Sequence, residues 1–111
     1  MPKQALALHL VEKGLYCENL SPVEGVPGEW NTGKWRIGDA TARSLIGKKI
    51  YLHRGQLKKS HIGGEILSFQ QSSTDPKKKI IRFRRLAECA GVSTSRTGWG
   101  NEKKVVWQSE E

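Results

Sequence analysis

Apolar residues recur at every second position near the start of the chain. Leu6, Leu8 and Leu10 alternate with Ala5, Ala7 and His9, and a period of two predicts a half-buried strand. Alanine and leucine also favour helices, so a short helix is the competing expectation. Residues 49–54 (KIYLHR) carry the alternation more sharply, with Ile50 and Leu52 on one face and Tyr51 and His53 on the other. A third run, 62–70, opens on Gly63 and Gly64. That pair predicts a bulge, or a point where another group approaches the backbone closely. In 79–86, Ile81 and Phe83 point one way, and Arg82 and Arg84 the other. Residues 105–107 predict a closing strand, with Trp107 in the core.

Between these runs, Asp39 is placed to cap a short helix over about 40–46 that Gly47 ends. Residues 86–90 predict one helical turn before Gly91. The stretch 18–40 is rich in glycine and proline and carries Trp30 and Trp35, which predicts a long shaped loop. Its tryptophans argue against disorder. Five or six short strands, one or two short helices and no repeat predict a mainly β (α+β) domain spanning 1–111, frayed at about 1–4 and 108–111. A closed or nearly closed β-barrel is the economical arrangement, because closure removes exposed edges.

Charge changes the picture most. The chain of 111 residues holds 19 lysines and arginines against 11 acidic residues, a formal net charge of +8. Six of the nine residues in 77–85 (KKKIIRFRR) are basic and none is acidic. Cations of this density suit polyanions, since neutralising phosphates releases condensed counterions; the competing expectation is a solvated edge strand whose charges block aggregation. No apolar run approaches the roughly 20 residues needed to cross a membrane. Cys17 and Cys89, with no secretory core ahead of them, predict free thiols in a reducing, cytoplasmic setting.

The order of elements, with GKKIYLH at 47–53, SHIGGEILSF at 60–69 and IRFR at 81–84, resembles the PUA-like superfamily. Its EVE and ASCH branches are the nearest, and YTH domains belong to the same group. The resemblance implies a small β-barrel that binds RNA or DNA, often by receiving one extruded, modified base. The glycine–aspartate pair expected before the second strand is replaced by Gly47–Lys48, while Gly38–Asp39 stands nine residues earlier. Some ASCH members resemble small amidohydrolases that use a Lys, a Thr and a Glu; this chain has Lys34, Thr41 and Glu65.

The candidate residues follow from both lines. Trp99, flanked by Gly98 and Gly100, and Trp35 and Trp30 are candidates to stack on a base, each against the default of packing in the core. Lys58, Lys59, Arg82, Arg84, Arg85 and Arg96 are candidate phosphate contacts. Gly63 and Gly64 would let a base approach the backbone. His53, His61 and Glu65 match no metal or catalytic signature such as HExxH, and the cysteines form no CxxC pair, so no metal and no cofactor is expected. The expected function is a nucleic-acid-binding module without a membrane. The alternatives are a small hydrolase acting on a modified nucleoside or nucleic acid, with Glu65, Lys34 or His53 in its pocket, and a protein-interaction module.

Overall fold

The computed structural model describes residues 5–12, 20–94, 98–100 and 103–107. The strands are β1 (Ala5–Val11), β2 (Leu20–Pro22), β3 (Glu29–Arg36), β4 (Lys49–His53), β5 (Ser60–Gln71), β6 (Lys78–Arg85) and β7 (Lys103–Trp107). One α-helix, α1 (Asp39–Leu45), and a 3-10 turn over Ala87–Cys89 complete the described elements. The domain is mainly β, as the alternation predicts.

All seven strands form one sheet in the order β2-β3-β6-β5-β4-β1-β7. Its ends, β2 and β7, are not paired with one another among the described residues, so the sheet stays open rather than closing as a barrel. Only β1 and β4 run parallel; the other neighbours are antiparallel. Parallel strands need a long crossover, and here it consists of β2, β3 and α1.

Alternation along each strand gives the sheet two chemically distinct sides. Leu8 and Leu10 of β1 lie beside Ile50 and Leu52 of β4. These four join Ile62, Ile66, Ile81 and Phe83 in a core that α1 covers with Ala42 and Leu45. The opposite side carries His9, Tyr51, Glu65 and Arg84, which alternate with those core residues.

Three expectations are corrected by this arrangement. The stretch expected as a long loop contains β2 and β3, because β6 supplies a partner for Trp30, Asn31 and Thr32. Asp39 is the first helical residue rather than the cap; Gly38 holds the cap position without a side-chain bond. Gly47 does follow the helix, with a φ of 85° that suits glycine. Trp107 is not core: it ends an edge strand, opposite Ala5, and is 42% exposed. Among the described residues no helix is long and apolar enough to cross a membrane.

Gly63 and Gly64 are sites of close approach, and the approaching group is the protein's own backbone. A methyl group on Gly64 would lie 1.8 Å from the Arg84 carbonyl oxygen, and one on Gly63 would lie 2.2 Å from that of Ile50. The space a base would need at these two residues is already filled. Either alanine substitution must push strands apart. Gly64→Ala is expected to cost about 3 kcal/mol, the upper part of the usual overpacking range, read as a lower urea midpoint. An unchanged midpoint would contradict this account of the β5–β6 contact.

Candidate functional site: a buried histidine pair beside a basic loop

The cationic strand β6 is largely neutralised by its neighbours. The register sets Lys49, Glu65, Arg84 and Glu29 in one row across β4, β5, β6 and β3, alternating in sign. Arg84 donates to Glu65, and Arg82 donates through Nε to Glu29 at 2.6 Å. Lys79, on the same side as Ile81 and Phe83, is buried; its ammonium donates to the Ile37 carbonyl at 2.9 Å and pairs with Asp39 at 2.8 Å. Arg85 is exposed at the strand's end. Like-sided arginines therefore do not make a bare phosphate track.

The loop between β4 and β5 differs. Arg54, Lys58 and Lys59 are exposed there, and none of the three has an acidic partner among the described residues. The loop is tied to the sheet from below: His53 donates through Nδ1 to the Lys58 carbonyl at 2.7 Å. A carbonyl only accepts, so the His53 Nδ1 carries hydrogen.

That bond fixes a second one. His53 Nε2 lies 2.8 Å from His9 Nδ1. In the neutral pair His53 Nε2 is the acceptor, so His9 Nδ1 must be the donor and His9 Nε2 the proton-free nitrogen. Tyr51 stacks on His9 at 4.6 Å between ring centroids. The Trp99 ring stands edge-on to both imidazoles, 6.3 Å from His9 and 5.7 Å from His53. Lys104 pairs with His9 across β1 and β7, and its ammonium donates to Thr94 at 2.7 Å. His9, His53 and Lys104 are all more than nine-tenths buried.

Burial dominates the titration of this cluster. It lowers His9 from 6.5 to about 4, helped by the nearby His53 and Lys104 charges. Burial likewise lowers His53, partly opposed by its bond to the Lys58 carbonyl. Both imidazoles are therefore neutral near pH 7, as the bond between them requires.

The three candidate indoles do not share a cavity. Trp99 belongs to the histidine side, and its indole nitrogen is buried without a hydrogen-bond partner among the described residues. Trp35 sits in the core, 7% exposed, and donates to Thr32 at 3.1 Å. Trp30 is half-buried against the core and lines a cleft of about 310 Å³ with Pro22, Val23 and Val26. A second cleft, of about 370 Å³, lies between α1 and the strands β5 and β6. Arg96 lies outside the described residues. Lys34, on β3, bonds Thr74 and Glu65, on β5, is held by Arg84, while Thr41 is on α1; the set implied by the ASCH resemblance is not assembled. Among the described residues no group of three or more His, Cys, Asp or Glu side chains is gathered for a metal ion.

His9 is the residue that sequence reasoning missed. Its signal was only a polar position in an apolar alternation; its partner lies 44 residues away on a strand whose pairing local patterns do not reveal. The pair has a measurable signature. Between about 4 and 6.5 the unfolded chain binds the His9 proton more readily than the folded one. Stability is then expected to rise with pH across that window and to fall as pH drops from 6.5 towards 4. Urea unfolding at a series of pH values should show this slope, reduced in His9→Gln; equal slopes in both proteins would refute it.

Compared with protein-family models, curated proteins and solved structures, the chain matches none, so its reading rests on its own residues.

Proposed function

We propose that this chain is a nucleic-acid-binding module whose phosphate contacts come chiefly from the loop between β4 and β5, with Trp99 as the neighbouring aromatic wall. The observation that carries the reading is the set of exposed cations Arg54, Lys58 and Lys59, without acidic partners among the described residues, on a loop anchored to the rigid His53–His9 pair. The net charge of +8 favours any polyanion over long range. Arg85 extends the cationic surface. Arg82 and Arg84 contribute less, because each already has a carboxylate partner. The Trp99 ring, half-buried beside the imidazoles, supplies stacking area of the kind that unpaired bases use.

The test is a binding titration against single-stranded oligonucleotides over a range of salt. Log affinity should fall linearly with log salt. Replacing Lys58 and Lys59 together by alanine should flatten the slope by about 1.4, given roughly 0.7 per phosphate contact on a single strand. Arg84→Ala should leave the slope nearly unchanged. The reading fails if the wild-type chain binds no DNA or RNA at low salt.

A second reading, a small hydrolase acting on a nucleoside or nucleic acid, is favoured by one observation: the bond network leaves His9 Nε2 as a proton acceptor of defined tautomer. Turnover of such a substrate that is lost in His9→Gln, with folding retained, would promote it above the binding module.

A further inference from the structure

The cleft between α1 and the strands β5 and β6 lies on the core side of the sheet, away from the histidine pair. Asp39, Ala42, Arg43 and Ile46 line one wall; their spacing of three, four and seven residues is that of one helix face. The helix buries Ala42 and Leu45, so the adjoining edge of that face is left over the cleft. Opposite it stands Phe69, just beyond the bulge that interrupts β5 between Ile66 and Ser68. Phe69 is half-buried, and Ile46 is left 49% exposed. The result is an apolar slot of about 370 Å³, within the size range of small-molecule sites.

One end of the slot is polar in a specific way. Lys79 is buried and lines it, with two of its three ammonium donors used by the Ile37 carbonyl and Asp39 Oδ1. The third donor has no partner among the described residues. Asp39 also lines the cleft, and its Oδ2 likewise has no hydrogen-bond partner among them. A donor and an acceptor therefore sit side by side at the end of an apolar slot flanked by an aromatic ring. The Arg43 guanidinium adds a positive charge at the rim.

We propose that this cleft binds a nucleobase, taken as a nucleoside or mononucleotide, or as one unpaired nucleotide of a strand. The base lies against Phe69, Ile46 and Ala42. Its hydrogen-bonding edge, in which an N–H donor neighbours a carbonyl or ring-nitrogen acceptor, meets Asp39 and Lys79. A 5′-phosphate is placed for Arg43. The complementarity is with any base that presents such an edge, and a base whose donor nitrogen is methylated loses the contact to Asp39, whose side chain is 84% exposed at the cleft's rim. This inference does not rest on the basic loop, since a nucleoside carries no phosphate.

The experiment is an NMR titration of the wild-type chain with uridine, 3-methyluridine and uridine 5′-monophosphate. Uridine should bind with a dissociation constant below about 1 mM and shift amide signals of α1 and of residues near Phe69. 3-Methyluridine should bind about tenfold more weakly, the loss expected for a hydrogen bond to a charged group, and the monophosphate more tightly than the nucleoside. Phe69→Leu keeps most of the side-chain volume and should weaken all three together. A short single strand that loses affinity in Phe69→Leu would identify a strand nucleotide as the occupant, and an unaffected strand would identify free nucleosides. Absence of uridine binding at millimolar concentration, equal affinity for uridine and 3-methyluridine, or shifts confined to the Trp99 side would overturn the proposal.

Discussion

The parallel pairing of β1 with β4 is the constraint on which the rest of this molecule depends. It places Leu8 beside Ile50 and Leu10 beside Leu52 on one side, and His9 beside Tyr51 on the other. A slip of one residue would exchange the two sets, driving imidazoles under α1 and leucines into the polar face. The crossover that joins these strands includes α1, and α1 covers the apolar set. Its short length leaves part of the sheet uncovered, and that margin is the cleft. Core, histidine pair and cleft thus follow from one register.

The distribution of charge is as informative as its excess. Cross-strand ion pairs at the surface add little to stability, but each takes a cation out of reach of an external phosphate. Arg82 and Arg84 are spent in this way on Glu29 and Glu65. Lys79 is a different case. A buried ammonium is tolerated only when its desolvation is offset, and here a backbone carbonyl and a carboxylate do so. Among the cations that stay available to a polyanion are Arg54, Lys58 and Lys59 on a connecting segment and Arg85 at the end of β6. A run of basic residues in the sequence is therefore a poor guide to where positive potential is presented; the partner strands decide.

Much of the fold was legible because local alternation carries it. Ile50, Leu52, Ile81 and Phe83 are all buried, on the faces the pattern assigns them, and Gly63 and Gly64 do mark a close approach. The remainder was hidden because it depends on contacts distant in sequence. Glycine and proline around Trp30 and Trp35 signalled a loop, yet β6 draws Glu29–Arg36 into a strand. No window containing His9 includes His53, so their bond is invisible until β1 and β4 are set side by side. Trp107 looked like core from its apolar neighbours, and only its place at the end of an edge strand explains its exposure. The alternating charges of β4, β5, β6 and β3 were likewise individually visible and collectively unreadable.

The two sides of the sheet require opposite protonation behaviour, and positive neighbours serve each of them. The histidine pair needs neutral imidazoles: burial is the main cause, and the His53 and Lys104 charges push His9 further in that direction. The cleft needs an ionised Asp39: its hydrogen bond from Lys79 is the main cause, and the Lys79 and Arg43 charges add to it. Lys104 acts on one side and Lys79 and Arg43 on the other, so no titrating group is shared between them. Near pH 7 the chain can therefore hold an uncharged, rigid pair under the basic loop and a charged donor–acceptor pair in the cleft. Acidification towards pH 4 would reach His9 while Asp39, held below its ordinary range, kept its charge longer. The two sites are separable by pH as well as by mutation, because the chemistry that keeps each in its working form runs through different residues.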